Sequence, residues 1–266
     1  MIPIHNNPHI TALYTAFRRD CSKDFFFRGE SHDFYELVCV AEGKAGITAD
    51  HRIFELQQGE AILHPPMQFH NVYSTGGTAP VIYVFSFAGE HIPKLENAIC
   101  KIEDLSQVKA LLELCRRTLR MKSDTVQEIK SGEHLQFVKQ LELLLLQLSH
   151  PTKQQAATQS AKNYAAIMQT LQQNLYRRLT VKELAALCNM SEVNLQKTFS
   201  RYAGVGVMEH FTRTKMQQAA ELLRQGCTVK ETALRFGYPD QNYFSTAFKR
   251  ITGHPPSWFK NNKNTL

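Results

Sequence analysis

The sequence predicts an α+β chain in which an antiparallel β-barrel followed by helices precedes an all-α domain built from two copies of one helical unit. Three observations support this prediction. Short β-rich runs fill positions 10–89, apolar residues at helical spacing take over after Pro93, and a four-residue motif recurs 48 positions further on near the C-terminus. A length of 266 residues allows two domains with separate cores.

The N-terminal region alternates short apolar runs with turn residues. Gly43, Gly59 and the Gly76-Gly77 pair separate the runs, and glycine adopts the backbone angles of tight turns at little cost. Many short strands at such spacing are typical of an antiparallel sandwich or barrel. The predicted strands are 10–17, 35–41, 44–49, 52–56, 61–64 and 81–87.

Two helices are predicted after the barrel. In 106–120, apolar residues such as Val108, Leu111 and Cys115 fall on one helical face. The helix over 131–149 is so rich in leucine that we expect it to bury two faces, one on its own domain and one on a second copy of the chain. The predicted homodimer contact is the stripe Leu135, Val138, Leu141, Leu145 and Leu148.

A polar segment separates the two halves of the chain. Positions 151–162 carry small and polar residues and none that would form a core, which is typical of a flexible linker. The His150-Pro151 pair is expected to end the preceding helix, because proline disfavours helical backbone in the residue before it.

Positive charge is concentrated beyond this linker. Positions 161–266 hold 15 Lys and Arg against 6 Asp and Glu, whereas positions 1–160 hold 16 against 18. A basic excess confined to one domain indicates that this domain meets a polyanion. Charge alone does not distinguish DNA from RNA or an anionic membrane surface.

The sequence indicates a cytoplasmic protein without a membrane partner. No apolar stretch approaches the roughly 18–20 residues that span a bilayer, and the N-terminus lacks the basic and apolar regions of a secretory signal. The six cysteines are irregularly spaced, which favours reduced, structural thiols over a disulfide framework or a zinc site.

The C-terminal region contains two copies of one sequence unit. Thr180-Val-Lys-Glu recurs as Thr228-Val-Lys-Glu, an offset of 48 positions. Further matches at an offset of 48 or 49 are Ala185 with Ala233, Phe199 with Phe248, Arg201 with Arg250 and Gly204 with Gly253.

Each copy predicts two short helices joined by a tight turn. In the first copy, helices over 181–188 and 192–202 follow the capping residues Thr180 and Ser191. In the second copy, Thr228 and Asp240 precede helices over 229–236 and 241–252, and a helix over 207–225 joins the copies. Two short helices of which the second has a polar outer face form a helix-turn-helix unit.

The outer faces of the second helices carry side chains that suit DNA. Gln and Asn can make paired hydrogen bonds to adenine in the major groove, and Lys can reach guanine or phosphate. Arg201 and Arg250 lie toward the helix ends and suit phosphate. The predicted DNA-binding residues are Val193, Gln196, Lys197, Arg201, Gln241, Asn242, Ser245, Thr246, Lys249 and Arg250.

Positions 229–259 resemble the signature of the AraC/XylS regulators. The marks of that family are Phe236-Gly-Tyr, Phe248-Lys-Arg, Gly253 and Pro256-Ser257. The resemblance implies that both second helices enter successive major-groove segments, and that the regulator activates transcription by contacting RNA polymerase. By position, the resemblance implies that six residues face the bases: Val193, Gln196 and Lys197 in the first unit and Gln241, Asn242 and Thr246 in the second. Thr246 is shorter than the basic residue that many members carry there.

Positions 30–70 resemble the cupin motifs. His32-x3-Glu36-x6-Gly43 matches the end of the first motif, and Gly59-x5-Pro65-x4-His70 matches the second. Metal-binding cupins use a His-x-His pair, a Glu and a later His, and Glu30 stands in the first His position here. Glu30, His32, Glu36 and His70 could therefore still ligate a divalent metal, whereas many AraC-type regulators use the barrel for a small organic effector. A purely structural barrel is the third alternative.

Of these alternatives we expect an effector pocket without metal or cofactor. The predicted effector-binding residues are His32, Glu36, His70, Tyr35 and Tyr14. His64, beside Pro65-Pro66 at a strand end, is expected to be a surface or packing residue rather than a ligand.

Together these features predict a cupin-like effector-binding and dimerisation domain over 1–150, with its helical part at 96–150, a linker over 151–162, and a double helix-turn-helix DNA-binding domain over 163–266. The expected function is sequence-specific activation of transcription under control of a small molecule, not catalysis. The expected partners are double-stranded DNA, RNA polymerase, the effector and a second copy of the chain. The alternatives are a regulator without a ligand and a metal-binding cupin enzyme that carries a DNA-binding tail.

Overall fold

Antiparallel strands dominate the N-terminal half and helices the C-terminal half of the computed structural model, which describes residues 7–95, 98–130, 132–148 and 158–261. The chain divides into two compact units, Met1–Ala157 and Thr158–Leu266. Within the described ranges, none of the helices has both the length and the apolar character needed to cross a bilayer.

The N-terminal unit is built from two antiparallel sheets. Seven strands form one sheet in the order β8-β5-β2-β7-β1-β10-β9, and three form the other in the order β4-β3-β6. The strands are β1 (His9–Asp20), β2 (Tyr35–Glu42), β3 (Lys44–Ala49), β4 (Arg52–Gln57), β5 (Glu60–His64), β6 (His70–Ser74), β7 (Val81–Glu90), β8 (Cys100–Lys101), β9 (Leu119–Lys122) and β10 (Thr125–Ile129). The six predicted strands are present. Four further strands, β6, β8, β9 and β10, were not predicted.

Side-chain alternation along the strands divides the apolar residues between two cores. On β2, Val38 and Val40 face the interior between the two sheets, together with Ile62 of β5. Leu37 and Cys39 face the opposite side, where they pack with residues of two helices, α1 (Leu105–Thr118) and α2 (His134–Gln147). The barrel interior is therefore separated from the helices by the large sheet.

Helix α2 does not present the predicted dimer stripe. Leu141, Leu145 and Leu148 are buried in the core of their own domain, because a period of 3.6 residues places them on the same face as Phe137. The prediction of a dimer contact through these three leucines is therefore wrong. Of the predicted stripe, Leu135 is 60% exposed and Val138 is partly buried; Leu143 and Leu146 are 58% and 41% exposed.

The C-terminal unit begins earlier than predicted. Helix α3 (Gln159–Gln173) follows Thr158, whose side chain accepts a hydrogen bond from the backbone N–H of Ala161. Tyr164 of this helix is fully buried beside the ring of Phe199. The predicted linker over 151–162 is thus wrong at its C-terminal end, because its last residues form the first turn of a helix that packs into the core. Positions 149–157 lie outside the described residues.

Six further helices complete the unit. They are α4 (Val181–Leu187), α5 (Glu192–Ala203), α6 (Val207–Arg224), α7 (Val229–Arg235), α8 (Gln241–Thr252) and α9 (Pro256–Asn261). All five helices predicted from the repeat are present, and α8 has the predicted bounds. Fully buried aromatic side chains, including Phe199, Phe244 and Phe248, fix the inner faces of α5 and α8.

Candidate nucleic-acid interface and sensor site

The two helix-turn-helix units have the same backbone geometry in their turns. Asn189 and Gly237, which are 48 positions apart, both adopt left-handed backbone with φ of 54° and 78°. The next amide, that of Met190 or Tyr238, donates a hydrogen bond to the carbonyl five residues earlier, at 2.9 Å in both units. Glycine and asparagine tolerate this conformation best, so the repeat in sequence is also a repeat in structure.

The first helix of each unit begins with a reciprocal capping box. The Thr180 hydroxyl accepts from the backbone N–H of Glu183, whose carboxylate accepts from the backbone N–H of Thr180. Thr228 and Glu231 form the same pair of bonds in the second unit. Each box satisfies amides that the first helical turn leaves without partners, so the repeated Thr-Val-Lys-Glu sequence has a structural cause.

The second helices, α5 and α8, are held at both ends. The side chains of Ser191 and Asp240 accept hydrogen bonds from amides of the first turn. Gly204 and Gly253 end the helices in left-handed backbone. Because the inner faces are buried, the orientation of each outer face is fixed.

The predicted DNA-binding residues lie on these outer faces. All are exposed except Ser245, which is half-buried and donates its hydroxyl to the carbonyl of Gln241 at 2.7 Å. Thr246 donates similarly to the carbonyl of Asn242 at 3.0 Å. Val193 is 76% exposed, so its side chain is free to contact a partner. The other exposed members of the set are Gln196, Lys197, Arg201, Lys249 and Arg250.

Four of these residues carry uncompensated positive charge. Within the described part of the chain, Lys197, Arg201, Lys249 and Arg250 make no ion pair with a carboxylate. Arg201 lies over the ring of Tyr202, 5.5 Å from its centroid. Cations without a carboxylate partner can neutralise phosphates without first breaking a salt bridge.

Sequence reasoning missed Lys215 on α6. This buried lysine donates from Nζ to the carbonyl of Arg177 at 2.5 Å and to that of Phe236 at 3.3 Å. Burial lowers the pKa of its amine to about 8. Lys215 stands four residues after the buried Phe211, on the apolar face of α6. A lysine among apolar residues at helical spacing was the sequence signal that could have identified this buried amine.

A second cluster of polar side chains lies inside the N-terminal barrel. Glu36, His64 and Ser86 are paired across three adjacent strands of the large sheet, and they share the inward-facing parity of Val38, Ile62 and Val84. His70 faces the same interior from the small sheet, since Val72 two residues later belongs to that core. One end of the barrel interior is thus polar, and the remainder is apolar.

Glu36 is the centre of this cluster. Its Oε1 lies 3.2 Å from Nε2 of His70, and its Oε2 lies 3.7 Å from Nε2 of His32. The Ser86 hydroxyl donates to Oε2 at 3.1 Å. Glu30 completes the group, and one ligand atom from each of Glu30, His32, Glu36 and His70 falls within 4.8 Å of the others.

Burial and charge act in opposite directions on these groups. Burial alone would raise the pKa of Glu36, but the contacts with His32 and His70 hold it well below its ordinary range. Burial would lower the pKa of His70, but Glu36 raises it. For His64, burial dominates and lowers the pKa to about 3, so this imidazole is neutral at physiological pH.

The structure separates Tyr35 from the other predicted effector residues. Tyr35 stacks on Phe87 at 5.9 Å on the helix-facing side of the large sheet, because its odd position on β2 turns it away from the interior. The prediction that Tyr35 lines the same pocket as Glu36 is therefore wrong. Tyr14 remains near the cluster through a chain of stacked rings, 4.2 Å from Phe34, which stacks on His32 at 3.8 Å.

His64 is a packing residue but not a surface residue. It is fully buried and stacks on His70 at 4.2 Å, so the expectation that it could lie on the surface is wrong. His64 occupies an even position on β5, in register with Glu36. This position was the signal that would have assigned His64 to the polar cluster inside the barrel.

Comparisons with known proteins agree with this architecture. Positions 13–179 match the family model described as AraC-like ligand binding domain, and positions 184–262 match that described as Helix-turn-helix domain. The Msm operon regulatory protein of Streptococcus mutans is 24% identical over 251 residues, which cover 90% of this chain and 88% of that protein. The transcriptional activator RhaS of Yersinia pestis is 25% identical over 86% of this chain and 88% of its own length.

A third relative matches over a shorter segment. The MmsAB operon regulatory protein of Pseudomonas aeruginosa is 30% identical over 91 residues, which are 34% of this chain and 30% of that protein. The chain therefore spans about a third of this relative's length. Because the ligand-binding family model covers more than half of the sequence and is followed by two helix-turn-helix units, the chain belongs to the AraC/XylS family of transcriptional regulators.

Proposed function

We propose that this regulator reads promoter DNA with α5 and α8, activates transcription, and responds to a ligand at the polar end of the N-terminal barrel. The observation that carries the proposal is the pair of equivalent helix-turn-helix units, each with an outward polar face on a rigidly capped second helix. Two such units in one chain can read two segments of the same DNA face.

The chemistry of the outer faces divides the work between base reading and phosphate binding. Gln196, Gln241 and Asn242 can each make two hydrogen bonds to adenine, and exposed Val193 can contact a thymine methyl group. Arg201 and Arg250, near the helix C-termini, are placed for phosphates. Specificity should therefore reside mainly in the first two turns of α5 and the first turn of α8.

Control by a ligand is supported by the composition of the barrel interior. A buried carboxylate and buried imidazoles at one end would be costly in an apolar core without a purpose, and they offer both donors and acceptors to a small polar molecule. Glu30 at the rim is exposed, so the cluster can be reached from solvent. A thermal-shift screen of the full chain in which no small molecule responds would favour a regulator without a ligand.

Self-association is supported by a face of α2 that shares only Leu135 with the predicted stripe. Leu143 and Leu146 are exposed together with Leu135, and exposed apolar side chains on one helix are typical of protein contacts. We infer that a homodimer forms through this outer face, so that two chains can occupy paired sites in a promoter.

The test is selection of bound sequences from a random DNA pool by the full chain. The expected result is a motif with two conserved segments about one helical turn, roughly 10 base pairs, apart. A motif with one segment would mean that only one unit reads bases, and no enrichment would contradict sequence-specific binding. Transcription in vitro from the selected site with purified RNA polymerase then distinguishes activation from repression.

A further inference from the structure

Three histidines in the barrel have the same hydrogen-bonding pattern. Nδ1 of His32 lies 2.9 Å from the carbonyl of Phe34, and Nδ1 of His70 lies 3.0 Å from the carbonyl of Gln68. Nδ1 of His64 lies 2.8 Å from the side-chain oxygen of Gln68. A carbonyl oxygen can only accept, so Nδ1 carries the hydrogen in each ring, and the neutral imidazole keeps its lone pair on Nε2.

These Nε2 atoms have no hydrogen-bond partner although they are buried. The atoms concerned are Nε2 of His32, His64 and His70. The 3.2 Å contact between Nε2 of His70 and Glu36 is not aligned for a hydrogen bond. Two imidazole lone pairs that face a buried carboxylate repel it, and a buried polar atom without a partner is destabilising. A positive charge shared by the imidazole nitrogens and the carboxylate, either a proton on an imidazole or a bound cation, would remove this repulsion.

The donor set fits a divalent transition metal. Imidazole nitrogen and carboxylate oxygen together suit zinc, manganese, iron, cobalt or nickel better than calcium or magnesium. Metal–ligand bonds of about 2.0–2.2 Å place opposite ligands roughly 4.4 Å apart at most, and the four ligand atoms of this cluster already lie within 4.8 Å of one another. Small side-chain rotations would close the coordination sphere.

The surroundings of the cluster resemble the outer shell of a metal centre. Ligating histidines typically donate their other ring nitrogen to a carbonyl or carboxylate, as His32 and His70 do here. Glu36 is oriented by the Ser86 hydroxyl, which in turn is 2.6 Å from the hydroxyl of Thr15. The ligands are thus held in place by bonds that do not depend on an ion.

The backbone also holds Glu30 close to His70. The two residues exchange backbone hydrogen bonds of 3.0 Å in both directions. Gly29 precedes them with φ of +86°, and a Cβ there would lie 2.7 Å from the carbonyl oxygen of His70. Only glycine permits this approach of the Glu30 segment to β6, so residues from three separate parts of the chain converge without a rearrangement.

We propose that Glu30, His32, Glu36 and His70 bind one divalent transition-metal ion at the polar end of the N-terminal barrel. Two imidazoles and two carboxylates supply the protein ligands. Glu30 lies at the exposed rim, which gives the ion a path from solvent. The site is defined by the N-terminal domain alone and does not depend on the proposed DNA-reading roles of α5 and α8.

The test uses the untagged full chain, stripped with a chelator and titrated by calorimetry with zinc, manganese, iron(II), cobalt(II) and nickel. The expected result is one ion per chain for at least one metal. Glu30→Gln, at the exposed rim, should weaken binding about 10-fold. His32→Ala removes a ligand outright and should weaken binding about 100-fold or more, since altering even the outer-shell partners of ligands costs about 10–100-fold. His51→Ala, which changes an exposed histidine outside the cluster, is the matched control.

Cobalt(II) gives an independent readout. Its visible absorption bands report ligand type and geometry, and they should disappear in His32→Ala while circular dichroism shows that the variant is folded. Failure of all five metals to bind, or binding that Glu30→Gln and His32→Ala both retain, would overturn the proposal and leave a protonated imidazole as the positive charge. Selection of DNA by the same protein tests the proposed function separately.

Discussion

Lys215 of α6 and the carbonyl of Phe236 at the end of α7 are joined by a buried hydrogen bond of 3.3 Å. The same ammonium binds the carbonyl of Arg177, in the segment before α4. The Lys215 side chain thus links α6 to the segment before the first helix-turn-helix unit and to the turn of the second unit. The spacing of the two units depends on this connection as well as on the length of α6.

We expect Lys215→Met to destabilise the C-terminal unit by about 1–3 kcal/mol, because methionine keeps the apolar stem but leaves the buried carbonyl of Phe236 and the partly buried carbonyl of Arg177 without this donor. Trp258, the only tryptophan in the sequence, lies in α9 and reports unfolding of this unit in urea. DNA affinity should fall as well. Lys230→Met, which changes an exposed lysine of α7, should alter neither quantity, and an unchanged midpoint for Lys215→Met would show that the two bonds contribute nothing.

The proposed division of labour on α8 predicts two distinguishable mutants. Gln241→Ala should cost about 1–3 kcal/mol of binding free energy on the selected site and relax the preference at one base pair. Arg250→Ala should weaken binding to all sequences and reduce the slope of log affinity against log salt by about one. Titrations over a salt series on specific and scrambled duplexes measure both effects. Equal behaviour of the two variants would contradict the assigned roles.

The turns predict an asymmetry between two substitutions at equivalent positions. Gly237→Ala should destabilise the C-terminal unit by about 1–2 kcal/mol, because an alanine is strained in left-handed backbone. The added Cβ would make only ordinary contacts, the nearest at 3.4 Å, so the cost is conformational. Asn189→Gly should change stability by less than about 0.5 kcal/mol, since it preserves the conformation. Urea midpoints from Trp258 fluorescence compare the two, and equal losses would refute the conformational cause.

Stability of the C-terminal unit should depend on pH through His210. Burial lowers the pKa of this histidine to about 4, and Arg213 adds to the shift. The unfolded chain has the ordinary value near 6.5, so between these values the unfolded state binds more protons. The contribution of His210 to the free energy of unfolding should be fully present above pH 6.5. It should decrease as the pH falls toward 4, by at most about 1.4 kcal/mol per pH unit.

His210→Phe isolates this contribution from that of titrating carboxylates. Phenylalanine retains the ring that packs edge-on against Phe199, at 5.3 Å in the native structure, but has no proton to gain. The pH dependence of unfolding should therefore be shallower in the variant than in the native chain. Parallel profiles would mean that His210 does not titrate over this range.

The leucines of α2 predict opposite outcomes for core and surface substitutions. Leu143→Lys combined with Leu146→Lys should give a folded monomer in sedimentation experiments, because both side chains are exposed. Leu141→Lys should instead unfold the N-terminal unit, since it introduces an unpaired charge into the core. A dimer that survives the double substitution would mean that another surface holds the chains together.

Sequence reasoning worked best where structure is decided locally. The caps Asp240 and Gly253 and the 3.6-residue period define α8 without reference to the remainder of the chain, so its bounds and its exposed face could be predicted. Strand β3 has the predicted bounds for a similar reason, since Gly43 and the Asp50 turn flank a short segment that contains the β-branched pair Ile47-Thr48.

The errors concern features decided by distant parts of the chain. Leucines occur all around α2, and packing against α1 and the large sheet determines that Leu141 rather than Leu143 is buried. Glu142 is buried in that helix because it accepts a 2.9 Å hydrogen bond from the backbone N–H of Ile10, 132 positions away. Strand β6 begins with polar residues after a proline pair, and its pairing with β3 and with Glu30 could not be inferred from its composition.

The barrel interior has a packed apolar part and a polar end, so the residues that stabilise the fold differ from those available to bind a ligand. Val38, Val40 and Ile62 form their contacts whatever occupies the space beside Glu36. Exchange of the side chains at positions 30, 32, 36 and 70 should therefore change what the domain detects while its core remains intact. The proposed ligand specificity could therefore be redesigned at one end of the barrel while the apolar core and the C-terminal unit keep their sequence.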